Sequence, residues 1–86
     1  MYYVYVLKSE RSGIWYTGST DDLRKRLNQH NSKRSTWTKR GVPWELIYYE
    51  ASLDRDDAVA REVYLKTGTG KRYLKNRLKR FLTLTG

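Results

Sequence analysis

The reactive side chains of this chain stand where its apolar periodicity asks for hydrocarbon. A first helix is expected from about Asp21 to about Asn31, opened by the cap-forming run Ser19-Thr20-Asp21-Asp22. With Leu23 at zero and about 100° per residue, Leu27 falls at about 40°, His30 at about −20° and Arg26 at about −60°. His30 therefore lies inside the apolar stripe and Arg26 at its edge. A second helix, starting near Asp54 and Asp57 and running to about Thr67, puts Glu62 at about 40° from Ala58, among Leu65, Val59 and Val63. An unpaired carboxylate facing a core costs several kcal/mol. Glu62 must then be protonated, paired with an arginine such as Arg26 or Arg61, or bound to a cation. Arg26 can snorkel and His30 can be a hydrogen-bonded core histidine. Read for chemistry instead, a carboxylate, a guanidinium, an imidazole and nearby phenols can hold a cation, hold an anion and pass a proton. The phenols are plentiful, with eight tyrosines in 86 residues. Tyr3 and Tyr5 share one face of a strand, and Tyr2 points to the other.

The elements that must position these groups follow from the same patterns. Tyr2-Tyr3-Val4-Tyr5-Val6-Leu7 is aromatic and β-branched, Lys8 to Gly13 is turn-forming, and Ile14-Trp15-Tyr16-Thr17-Gly18 resumes strand character. That is a hairpin. Asn31 to Pro43 reads as a basic loop around Trp37, Trp44 to Glu50 as a third strand, and Gly68 and Gly70 as breakers after the second helix. A third helix is expected from about Lys71 to Leu82, with Tyr73, Leu74, Leu78 and Phe81 on its apolar side. Strand, strand, helix, strand, helix, helix is not a repeated strand-helix alternation. The expected fold is α/β in the broad sense (α+β): a three-stranded, at least partly antiparallel sheet flanked by about three helices, as a single domain over residues 1–86.

Composition narrows the partner. Eighteen Lys and Arg against nine Asp and Glu give a formal charge of +9, which favours a polyanion, nucleic acid first. Mean hydropathy is −0.86, no apolar run is long enough to span a bilayer, and Met1 leads straight into a strand, so neither a membrane nor a targeting signal is expected. Cysteine is absent, which excludes disulfides and thiolate metal sites and suits a reducing, cytoplasmic setting.

Tyr3-Val4-Tyr5, then Tyr16-Thr17-Gly18, then Arg26, His30 and Glu62 resemble, in order and spacing, the GIY-YIG nuclease superfamily over nearly the whole chain. That superfamily includes homing endonucleases, restriction enzymes, the incising subunit of bacterial excision repair and many small stand-alone bacterial domains. The chain looks most like the last group, with a repair or recombination role implied. By the resemblance, Tyr5, Tyr16, Arg26, His30 and Glu62 are catalytic, Gly18 is structural at the site, and Glu62 holds one divalent cation, Mg²⁺ or Mn²⁺. Tyr3 stands where the name has glycine and could crowd the site; Asn76 is the candidate for a late asparagine, although its helical phase lies outside the apolar stripe.

Phosphodiester hydrolysis needs an activated water, charge stabilisation on the phosphoryl oxygens and help for the leaving alkoxide. Arg26 can offer a planar donor fork to the phosphate. Tyr5 and Tyr16 are expected at the reacting phosphate, with Arg26 and the metal lowering a phenol's pKa and His30 relaying a proton or orienting a hydroxyl. Arg24 to Arg40 holds seven basic residues and no acid, and Lys71 to Arg80 six more. Arg24, Lys25, Lys33, Arg34, Lys39 and Arg40, and then Lys71, Arg72, Lys75, Arg77 and Lys79, are the expected phosphate contacts, with Trp37 able to stack on bases. The function implied is a metal-dependent endonuclease or nickase on nucleic acid, DNA in the first instance. The alternative is a non-catalytic or partner-dependent nucleic-acid-binding module, a protein partner supplying specificity.

Overall fold

Strand β1 (Tyr2–Ser9) is covered on both sides: Val4, Tyr5, Val6 and Leu7 are each no more than 2% exposed. Continuous burial of that kind requires a central strand with a layer on each face. The computed structural model describes residues 1–32 and 38–85. Among them, β1 is followed by β2 (Trp15–Thr20), helix α1 (Leu23–Asn31), a short 3₁₀ turn (Lys39–Gly41), β3 (Trp44–Ser52), α2 (Arg55–Leu65), α3 (Gly68–Arg77) and α4 (Lys79–Thr85). The sheet order is β2-β1-β3 and both pairings are antiparallel.

Register decides what each face carries. Tyr5 pairs with Gly18 on one side and Tyr49 on the other, while Val6 pairs with Thr17 and Tyr48. The ladder slips between Val6 and Leu7, so Leu7 meets Leu46 and Ile47 is left over. This bulge lets Ile47 and Tyr48 both join the cluster on the Val4–Val6 face. That cluster is completed by Ala58, Leu65, Leu74 and Leu78, with Phe81 and Leu82 at its margin. On the opposite face Tyr5, Leu7 and Trp44 are packed by Leu23 and Leu27 of α1, with Tyr16, Val42 and Leu46. The result is a helix layer, a sheet and a second helix layer.

Several local expectations shift. Asp22 caps α1, its carboxylate accepting from Lys25 N at 3.0 Å, so the helix begins at Leu23. Asp54 caps α2 by accepting from the Asp56 and Asp57 amides. Val59 and Val63, expected in the apolar stripe, are 43% and 61% exposed. The buried stripe of α2 is the narrower Ala58–Leu65 line, and Glu62 lies at its margin.

The third helix departs most. It begins at Gly68, not near Lys71, because Thr67 Oγ1 accepts from Gly70 N at 3.0 Å and so caps it. It also stops at Arg77, with α4 resuming at Lys79, making four helices among the described residues. Gly70 is no breaker. A Cβ there would overlap the Tyr64 carbonyl oxygen and lie 2.6 Å from Leu65 Cα; the missing side chain is what lets α3 start against the end of α2. Gly70→Ala should therefore destabilise by about 2–3 kcal/mol through overpacking. Gly68→Ala, with open space at its Cβ, should be neutral or stabilising by up to about 1 kcal/mol. Urea midpoints of the two variants check this, and similar shifts in both would refute the packing role of Gly70.

Candidate active site

The centre of the site is a buried phenol. Tyr5 projects from the middle of β1 and is 2% exposed, so its hydroxyl must find protein partners. Arg26 Nε donates to it at 3.3 Å, and His30 Nε2 lies 2.9 Å away. His30 is itself fully buried, and its Nδ1 lies 2.7 Å from Thr38 Oγ1. Since Arg26 can only donate, the Tyr5 proton is free to go to His30 Nε2, which assigns the ring's own proton to Nδ1 and on to Thr38. Burial, then the Arg26 charge, pushes the imidazole down to about 4. Burial pushes the Tyr5 phenol up to about 12, against the opposing pull of Arg26. From Arg26 alone the phenol gains no net lowering: the cost of burying a phenolate outweighs the nearby guanidinium.

One helical turn supplies both partners. Arg26 and His30 are i, i+4 on α1, hence on one side of it. Arg26 is further aimed by Nη1 donating to Gln29 Oε1 at 3.0 Å. The end of α1 is fixed by Asn31, whose side chain accepts from Trp44 N at 2.6 Å and donates to Trp44 O at 3.1 Å. The Trp44 indole in turn donates to Thr38 O at 2.7 Å. Tyr16 closes the group from β2, its ring 5.0 Å from His30, 6.4 Å from Tyr5 and 6.3 Å from Trp44, and it also interacts with Arg26. Gly18 is needed because a Cβ there would sit 2.5 Å from the Tyr5 hydroxyl; the close approach is by the Tyr5 ring across β2. Tyr3 does not crowd the site. Its ring packs edge-on against Tyr49, with centroids 6.2 Å apart.

Glu62 reaches the site from α2, and neither arginine neutralises it through a salt bridge. Its Oε1 accepts from Ser19 Oγ at 2.6 Å and its Oε2 from Lys66 Nζ at 2.7 Å. Its side chain is 20% exposed, which a helix-margin position explains. Arg61 instead forms a bidentate pair with Glu50, at 2.7 and 3.3 Å, between the rings of Tyr64 and Tyr73. Ser19 follows Gly18 on β2, so Glu62 is held at the strand that backs Tyr5, close enough for its charge to act on the phenol. A cleft of about 480 Å³ opens here, lined by Ser19, Thr20, Asp21 and Arg26 and by Tyr2, Arg55, Ala58 and Val59.

The remaining candidates divide by position. Arg24 and Lys25 on α1 and Lys39 and Arg40 on the 3₁₀ turn are exposed, and α1 covers the Tyr5 face of the sheet. Lys71, Arg72, Lys75, Arg77 and Lys79 are exposed on α3 and α4, which cover the other face. Among the described residues, the two sets of basic side chains belong to opposite layers. Asn76 lines a shallow depression with Tyr64, Thr69, Arg72 and Tyr73, and none of Tyr5, Tyr16, Arg26, His30 or Glu62 enters it. Lys33, Arg34 and Trp37 lie outside the described residues.

With this geometry in place, comparison with known proteins is decisive on family. A model of the GIY-YIG catalytic domain matches residues 1–81. The chain belongs to the GIY-YIG family. Within this nuclease family its relatives are small proteins. A UPF0213 protein of Bacillus pumilus is 42% identical over 72 residues, 83% of this chain and 72% of the relative. Another, of Streptococcus pneumoniae, is 40% identical over 65 residues, 74% of this chain and 65% of that one. The solution structure of a UPF0213 protein of Bacillus halodurans shares the fold at a TM-score of 0.54 and 30% identity, covering 88% of this chain and 84% of the other.

Residue patterns alone did not single out Thr38, Asn31, Ser19 or Lys66. Lys66 had a visible signal, since it is i+4 to Glu62; the other three act across the fold. His30 supplies a direct test. It is the single histidine, with a folded value of about 4 against an ordinary 6.5. Near neutral pH both states hold the ring neutral. As pH falls through 6.5 the unfolded chain takes up the proton first, so stability drops until about pH 4, where the folded ring also protonates. The loss over that window should be roughly 3 kcal/mol. His30→Gln should flatten the urea midpoint between about pH 6.5 and about pH 5, above the ordinary carboxylate range; an unchanged slope there counts against a depressed His30.

Proposed function

We propose that this chain is a metal-dependent endonuclease or nickase acting on nucleic acid, DNA in the first instance, in the cytoplasm. The observation that carries the reading is that one guanidinium does two things: Arg26 lines the cleft and also donates to the buried Tyr5 hydroxyl. A phosphate placed in the cleft would meet a donor fork already aimed by Tyr5 and Gln29, which is what charge stabilisation without reorganisation requires. The exposed cations of α1 and the 3₁₀ turn, in the layer on the Tyr5 face, suit the flanking phosphates.

On this reading the two phenols have different tasks. Tyr5 is buried and stays protonated at neutral pH, so it positions Arg26 and His30. Tyr16 is only half-buried and is the phenol able to meet a water or phosphoryl oxygen. A phosphate at Arg26 would cancel part of the charge that helps keep His30 neutral, raising its affinity for a proton when one must be moved.

Glu62 fits a hard divalent cation. Its carboxylate already accepts a cation, the Lys66 ammonium, and a hydroxyl, Ser19. No cluster of three or more His, Asp or Glu accompanies it among the described residues, so Mg²⁺ or Mn²⁺ there would keep a mostly aqueous shell, as hard divalent ions accept. Its contribution would be positive charge on a phosphoryl oxygen.

The same Lys66 contact favours a second reading, a nucleic-acid-binding module without turnover, whose specificity or activation comes from a protein partner. A supercoiled-plasmid assay with Mg²⁺ or Mn²⁺ separates the two. On the nuclease reading Arg26→Ala and Glu62→Ala lose about 10²- to 10³-fold in nicking rate, and Tyr16→Phe loses more than Tyr3→Phe. Equal nicking by all variants would expose a contaminant, and salt-sensitive binding with no nicking in either metal would leave the binding module.

A further inference from the structure

The Tyr5 face of the sheet is only half covered. Leu23 and Leu27 of α1 pack around Tyr5, Leu7 and Trp44. Beyond them, Tyr3 on β1 and Tyr49 on β3 pack on each other, with ring centroids 6.2 Å apart and planes at 64°. Neither belongs to either hydrophobic cluster, and Tyr49 is 55% exposed. Register puts both rings on the site's own face: Tyr49 is the cross-strand partner of Tyr5, and Tyr3 is two residues before it. Tyr3 also pairs with Thr20, which lines the cleft together with Arg26 and Arg55. The exposed Tyr49 ring and the half-buried Tyr3 ring thus continue the surface that leads to Arg26 and Arg55 at the cleft.

Resting on the nucleic-acid reading above, we propose that Tyr3 and Tyr49 form a stacking platform for an unpaired nucleobase next to the phosphate held at Arg26. The occupant follows from what adjoins the rings. A base is tied to a phosphate, and the platform adjoins the Tyr5 rung: Tyr49 stands on that rung one strand over, and Tyr3 lies one two-residue step, roughly 7 Å, along β1. Aromatic faces beside cationic groups are how single strands are held without reading sequence. Tyr49 supplies the open ring face, and Tyr3 props it from the neighbouring strand.

Fluorescence anisotropy with a labelled single-stranded oligonucleotide and a wholly abasic strand of equal length tests this, at low salt and with EDTA to prevent cleavage. Wild type should bind the base-bearing strand about 5- to 100-fold more tightly. Tyr49→Ala, at an exposed position, should cut that preference about fivefold or more while leaving abasic binding unchanged, and Tyr49→Phe should keep it. Equal loss on both strands, or an unchanged preference in Tyr49→Ala, would overturn the platform while leaving a phosphate-binding nuclease intact. A wild-type dimer that Tyr49→Ala dissolves would overturn it in favour of a second copy of this chain. Failure to bind either strand would remove the nucleic-acid reading and the platform with it.

Discussion

A hydroxyl group in the middle of the central strand governs this protein. Tyr5 occupies a position where β1 is covered on both faces, and a buried phenol without partners would cost about as much as a hydrogen bond gains in an apolar medium, a few kcal/mol. The solution is a directed chain from Arg26 through Tyr5 and His30 to Thr38. Every link is a donor meeting an acceptor, and no buried side-chain polar atom is left unpaired among the described residues. A fully satisfied chain in a region of low polarisability is rigid, because no member can turn without stranding its neighbour.

That requirement reaches into the fold. Arg26 and His30 must come from one face of one helix, so α1 needs the correct rotation about its axis, which Asn31 secures at the far end. Gly18 must lack a side chain so that the phenol can lie across β2. The opposite layer is under a different constraint, the close approach of α3 to α2 at Gly70. Glu62 connects the two layers, since it grows from α2 yet is gripped by Ser19 at the edge strand beside the phenol.

Helical phase made much of this legible. It marks His30 as buried and Arg26 as marginal, and strand alternation correctly separates Tyr5 from Tyr2, which packs on the opposite face. It misjudged the surroundings of Glu62, because phase reports direction from an axis and not which neighbour arrives: Val59 and Val63 proved exposed, and the balancing cation was Lys66. Thr38 was hidden in a polar stretch with no periodicity to mark one threonine from another. Gly70 was misread for a related reason. Propensity registers a glycine's backbone cost, but only the neighbouring Tyr64 carbonyl shows why a side chain is excluded. Contacts within one turn of helix can be read from sequence, whereas partners 25 or 43 positions apart, as for Tyr5 with His30 and Ser19 with Glu62, are set by topology.

Trp44 carries a consequence for how such a domain can diversify. Its backbone clasps Asn31 and its indole ties down Thr38, so a single residue at the start of β3 anchors both ends of the connection that leaves α1. Loop closure depends only weakly on length once the ends are fixed. A change in the length of the connection therefore costs little closure entropy once its ends are held.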